Sequence, residues 1–168
     1  MDSILANIFL AVQQRLNSQL TDVKWIDQDL GQLEFYTTRP AVNFPCLLIE
    51  VDDTDYSDEG ENSQIGEGII QVRLGLTVYT DANNLTPTLY KEKAIDYYNL
   101  EHRVNKALHG WCDGRFFNPL MRRKSFKEKR DDNIRVRVLR YAFAFRDSTA
   151  MVVPASIITL PGLEIEPI

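Results

Sequence analysis

A chain of 168 residues is about one domain long. At that length roughly 70% of the unfolded surface can be buried, so neither a disulfide nor a metal staple is required. An apolar fraction of 44% and a charged fraction of 26% exclude a disordered, collagen-like or coiled-coil chain, and the formal net charge of −5 weighs against nucleic-acid binding through overall charge.

Two cysteines, Cys46 and Cys112, are too few for a disulfide framework, so free thiols and a reducing compartment are expected. The opening Met1-Asp2-Ser3-Ile4 has neither a basic region nor a small-residue cleavage site, and no signal peptide is expected. The longest uncharged apolar runs fall well short of the ~20 residues that span a bilayer, so no membrane partner is expected.

The first element is a helix over about residues 3–20. Ile4, Leu5, Ile8, Val12, Leu16 and Leu20 make one apolar stripe, and Asp2 or Ser3 caps it. Val23–Ile26 and Leu33–Tyr36 read as short strands in a stretch broken by Gly31, Pro40 and Pro45. Cys46–Val51 is a compact apolar run after Pro45 and reads as a buried strand with Cys46 in the core. Residues 52–67 read as a polar acidic loop.

Ile69–Tyr79 is the clearest strand. Ile70, Val72, Leu74, Leu76 and Val78 alternate with Gln71, Arg73, Gly75 and Thr77, so one face is core and the other meets solvent or a neighbour. A turn-rich loop over 81–88 leads to a second helix over about 89–109, ended by Gly110. Two closing strands fall within Phe116–Lys129 and over Ile134–Arg146, with Asp131-Asp132-Asn133 as the turn. In the last strand Ile134, Val136 and Val138 share one parity and Leu139, Tyr141, Phe143 and Phe145 the other. Either a bulge near Val138 or cover on both faces reconciles them.

The expected fold is α+β. It has a mostly antiparallel sheet of about four to five strands, two helices packed on one face and a long C-terminal hairpin. Residues 1–147 form the domain. Residues 148–168 form an extended tail, apolar but broken by Pro154, Pro161 and Pro167.

Catalytic and metal-binding patterns are weak. His109, Cys112 and Asp113 match no common zinc spacing and lack a fourth ligand. A calcium loop starting at Asp53 would put Asp58 where glycine is needed and Gln64 where glutamate is needed. There is no serine elbow, and Gly66-Glu67-Gly68 carries an acid where a phosphate would sit. No enzyme activity, cofactor or metal is expected.

Charge distribution is the unusual feature. Residues 115–146 hold eleven Lys or Arg against three acids, while residues 50–67 hold eight acids and no base. The candidate interface residues are Arg122, Arg123, Lys124, Lys127, Lys129 and Arg130 on the basic side, with Asp52, Asp53, Asp55, Asp58 and Glu59 on the acidic side. Three readings fit: two solvated faces, a nucleic-acid-binding hairpin, or unlike patches that meet across a subunit boundary and close a ring. Only Phe126 lies within Arg122–Arg130 to stack on a base, so no specific nucleic acid is expected.

The order of elements resembles the tail-terminator, or tail-completion, proteins of long-tailed phages and prophages. An amphipathic helix is followed by Pro45-Cys46-Leu47-Leu48-Ile49, a long alternating strand, a second helix, and a basic hairpin ending in Tyr141-Ala142-Phe143-Ala144-Phe145. The resemblance covers about residues 3–147. It implies a non-enzymatic virion assembly protein and a homo-oligomeric, hexameric ring. That ring would cap the tail tube at its head-proximal end, join it to the head connector, and be assembled in the bacterial host cytoplasm. The acidic segment and the C-terminal tail have no counterpart in that pattern. Another neck or tube component remains an alternative.

Overall fold

The computed structural model describes residues 3–35, 37–77 and 81–151. Helix α1 spans Ile4–Gln19, and strand β1 spans Trp25–Gln28. Strands β2 (Cys46–Gly60) and β3 (Ser63–Thr77) follow, then helices α2 (Thr88–Ile95) and α3 (Tyr97–Leu108), then strands β4 (Met121–Lys127) and β5 (Ile134–Asp147). The five strands form one sheet in the order β1-β2-β3-β5-β4. Only β1 and β2 run parallel; every other pair is antiparallel. The fold is α+β.

The α1 stripe forms as its spacing predicts. Ile8, Val12 and Leu16 are fully buried, and the Ser3 hydroxyl accepts a hydrogen bond from the Ala6 amide at 3.4 Å, capping the first turn. These side chains meet Leu47, Ile49, Val72, Leu74, Leu139 and Tyr141 of the sheet and Leu100, Val104 and Leu108 of α3 in the main core. Helices α1 and α3 therefore cover one sheet face. The second helix is divided, because α2 ends at Ile95 and Asp96 separates it from α3.

A smaller core of Leu33, Cys46, Leu48, Val136 and Val138 covers part of the opposite face, with Val42, Phe44 and Phe126 packed against it. The segment 29–44 supplies this cover. Leu33 therefore serves as a plug in a turn region and not as part of a strand. The face of β3 expected to meet solvent or a neighbour is closed at Arg73 and Gly75.

The phase change in β5 is resolved by two-sided cover. Its register with β3 runs unbroken from Gln64–Asp147 to Thr77–Ile134. Val136 and Val138 enter the small core, while Leu139, Tyr141, Phe143 and Phe145 enter the large one. Bulges lie elsewhere. On β2, Asp52 and Asp53 together oppose Ile69, and on β4, Arg123 is the extra residue.

The stretch 52–67 is not a loop. Strands β2 and β3 continue as a hairpin to a two-residue turn at Glu61-Asn62, both with positive φ (54° and 62°), as a hairpin turn of matching twist requires. Opposite the hairpin, Phe143 and Phe145 of β5 take up the space left by glycines. A Cβ on Gly66 would lie 2.4 Å from the Phe145 ring, and one on Gly68 would lie 3.0 Å from the Phe143 ring. Those glycines thus admit aromatic rings over β3.

Part of the C-terminal tail read over 148–168, namely 152–168, lies outside the described residues, as do Tyr36, Val78, Tyr79 and the alternative cap Asp2. No helix among the described residues is long and apolar enough to cross a membrane.

Candidate functional site

Strand β1 stops at Gln28, opposite Ile49, and the Asp29 amide adds one further bond to the Ile49 carbonyl. Beyond that point β2 runs on to Gly60 with β3 on one side and no described strand on the other. This free edge carries Glu50, Asp52, Asp53, Asp55, Asp58 and Glu59. The acidic residues found in the sequence are therefore brought together along one strand edge. Asp52 is tied to Arg140 at 3.2 Å, and Glu59 accepts from Arg146 at 2.5 Å, which holds its carboxyl below the usual range. Asp53 and Asp55 have no ion pair among the described residues. Burial, then the nearby Asp29 and Asp52 charges, push the Glu50 carboxyl up.

The basic residues occupy the opposite edge. Strand β4 pairs only with β5, and Arg122, Arg123, Lys124 and Lys127 are exposed on it. The Arg122 amide donates to His109 Nδ1 at 3.1 Å, so His109 ties the end of α3 to the start of this edge. Among the described residues, no backbone partner lies outside β4 beyond that bond. None of Arg122, Arg123, Lys124, Lys127 or Lys129 has an ion pair among the described residues. Lys124 lies 5.2 Å and Arg140 6.0 Å from the Phe126 ring centre. That aromatic is half-buried beneath cations and is not free to stack on a base.

Arg130 stands apart from this set. Its guanidinium reaches Asp132 at 2.6 Å, Glu34 at 3.2 Å and the Leu33 carbonyl at 2.5 Å, which docks the β4–β5 turn on the 29–44 segment. Because β3 and β5 lie between β2 and β4, the two charged edges are about 14 Å apart at ordinary strand spacing and cannot pair within one chain.

A charged cluster that sequence reasoning missed lies under the 29–44 segment. Arg73, in the middle of β3, bonds Asp29 and Glu128 at 2.9 Å each and also pairs with Glu34. Burial pushes Arg73 down, but the bonds from Glu34, Glu128 and Asp29 outweigh it and hold its pKa above the ordinary value. The Arg73 bond in turn keeps Glu34 low. The only sequence signal was a lone arginine in an apolar strand. On the helix side Arg137 bonds Glu101 at 2.7 Å, and Ser125 also donates to Glu101. Burial raises the Glu101 pKa, and the Arg137 and Ser125 bonds more than reverse it.

No group of three or more metal-capable side chains converges among the described residues. A groove of about 360 Å³ between α1 and the β1–β2 edge is lined mainly by Leu5, Phe9, Ile49 and Val51 and presents no paired catalytic groups.

No protein-family model matches the chain, and no curated protein matches it. Among solved structures it is similar to a chain from the virion of a native gene transfer agent (GTA) particle. The match covers 83% of this chain and 94% of that one, at 14% identity and a TM-score of 0.45. A likeness this remote transfers no role.

Proposed function

We propose that this chain is a non-enzymatic assembly subunit that forms a ring on the head-proximal end of a phage-like tail tube. There it stops tube growth and offers a surface to the head connector. One observation carries the reading: a single sheet presents an acidic free edge on one side and a basic edge on the other, too far apart to neutralise each other. Unlike patches on opposite sides of one subunit are what a head-to-tail ring needs, and complementary charge sets its register. The resemblance in element order to tail terminators supports the same role. A hexamer follows from that resemblance alone.

Electron microscopy of tails incubated with the purified protein tests the role. A ring at the head-proximal end, and tails that no longer lengthen, are the expected results. Protein absent from that end, with tube growth unaffected, refutes the assignment. A monomer in solution is compatible with assembly that waits for the tube.

A further inference from the structure

We propose that neighbouring copies join by main-chain pairing, with the outer edge of β4 in one copy adding as an antiparallel strand to the free β2 edge of the next. This rests on the ring assignment above and specifies its joint.

Among the described residues both edges leave backbone groups without a partner, the Arg122 amide excepted, which is the chemistry of strand addition. Their side chains are complementary: β4 (Met121–Lys127) contains four bases and no acid, and β2 over Glu50–Gly60 contains six acids and no base. Like pairings, β2 with β2 or β4 with β4, would set equal charges opposite one another, which is destabilising. The contact is therefore heterologous, and its occupant is a second copy of this chain.

Strand direction fits. Since β2, β3, β5 and β4 alternate, β4 runs opposite to β2. A copy related by rotation about an axis roughly along the strands then places its β2 antiparallel to β4. Register fits as well. Lys124 is level with Arg140 on β5, and Asp55 is level with Glu67 and hence Ala144, four residues further along β5. Setting Lys124 opposite Asp55 puts both side chains on one face of the sheet, the face of the smaller core, on the hairpin side of the β2 bulge. The stagger of four residues is about 13 Å, and the width of four strands is about 19 Å. Their ratio gives a strand tilt of about 35°, at the lower end of the range in which sheets close into barrels.

Thiol cross-linking tests the joint. Lys124→Cys and Asp55→Cys are made as separate chains, each with Cys112→Ser so that the engineered thiol is the exposed one; Cys46 is buried. Directly opposed residues of antiparallel strands lie within disulfide reach. Mixed at high concentration in low salt under mild oxidation, the two chains should give the mixed disulfide several-fold above either like-with-like product. A chain carrying both cysteines should give a ladder that ends in a closed species. Equal yields of mixed and like products overturn the edge joint. The microscopy on tails reads the ring separately. Rings with equal yields leave the ring assignment standing and place the joint elsewhere. A mixed product without rings keeps the edge pairing and removes the ring role.

Discussion

Arg73 shows why single residues in this chain resist reading from sequence. Its partners sit at 29, 34 and 128, and they reach it only after the sheet forms and the 29–44 segment folds over it. Nothing local marks those positions as a site. Cys46 was legible for the opposite reason: its apolar neighbours in sequence are also its strand, and burial pushes its thiol up to about 11. The Arg73 cluster is structural and carries a clear energetic expectation. Asp29 has a side chain only 6% exposed, so removing its arginine leaves an uncompensated buried carboxylate. Arg73→Met should cost about 3 kcal/mol. Its thermal midpoint should fall by about 6–12 °C, read by circular dichroism. A midpoint within a degree or two of the parent would mean that water, and not Arg73, satisfies Asp29.

At the scale of elements, periodic segments were readable and charged ones were not. The α1 stripe and the β5 parity follow directly from spacing, whereas the apolar run that marks β2 in the sequence stops at Val51. Its continuation to Gly60 has a solvent-facing edge and a bulge at Asp52-Asp53, which together erase the period-two signal. The pairing that holds it is remote in sequence, through β3 to the β5 aromatics. Gly66→Val should therefore unseat Phe145 and destabilise by about 2 kcal/mol. Amide exchange should speed up across Tyr56–Asp58 and Ile65, and unchanged protection there would show that the ring does not pin the hairpin. The basic edge predicts the reverse pattern. The charged groups of Arg122, Arg123 and Lys124 are exposed and pair with no acid among the described residues, so changing all three to Glu should shift the midpoint by no more than about 2 °C. The same variant should lose assembly, since like charge then faces the acidic edge. Adding Asp53→Lys and Asp55→Lys should restore part of it. Undiminished assembly of the triple variant in low salt would leave β4 a solvated face only.

For the whole molecule, element order and fold class were legible because α1, β3 and β5 each announce their own period. The arrangement of the candidate site was not, because edge positions are a property of the finished sheet. Sequence could list acids and bases but could not place them on opposite sides of two intervening strands. The same tertiary arrangement sets the response to acid. Glu34 is held low by its Arg73 bond, and Glu101 is held low by Arg137 and Ser125 despite burial. A carboxyl with a lowered native pKa contributes stability that is fully present above its ordinary value of 4.5. That contribution is lost as pH falls from there through the lower native value. Glu50 works in the opposite sense: burial raises it, so it costs stability when ionised and relieves that cost as pH falls. Two strongly bonded carboxyls outweigh one raised carboxyl, so the net slope should be destabilising. The urea midpoint should be flat from about pH 7 to pH 5 and then decline steadily toward pH 3. Arg73→Met should decline less over that interval, because Glu34 loses the larger of the two arginine interactions that lower it and keeps only Arg130. Glu101→Gln in the same background should flatten the curve further. A parent midpoint that holds constant down to pH 3 would show that these bonds do not distinguish the folded from the unfolded carboxylates.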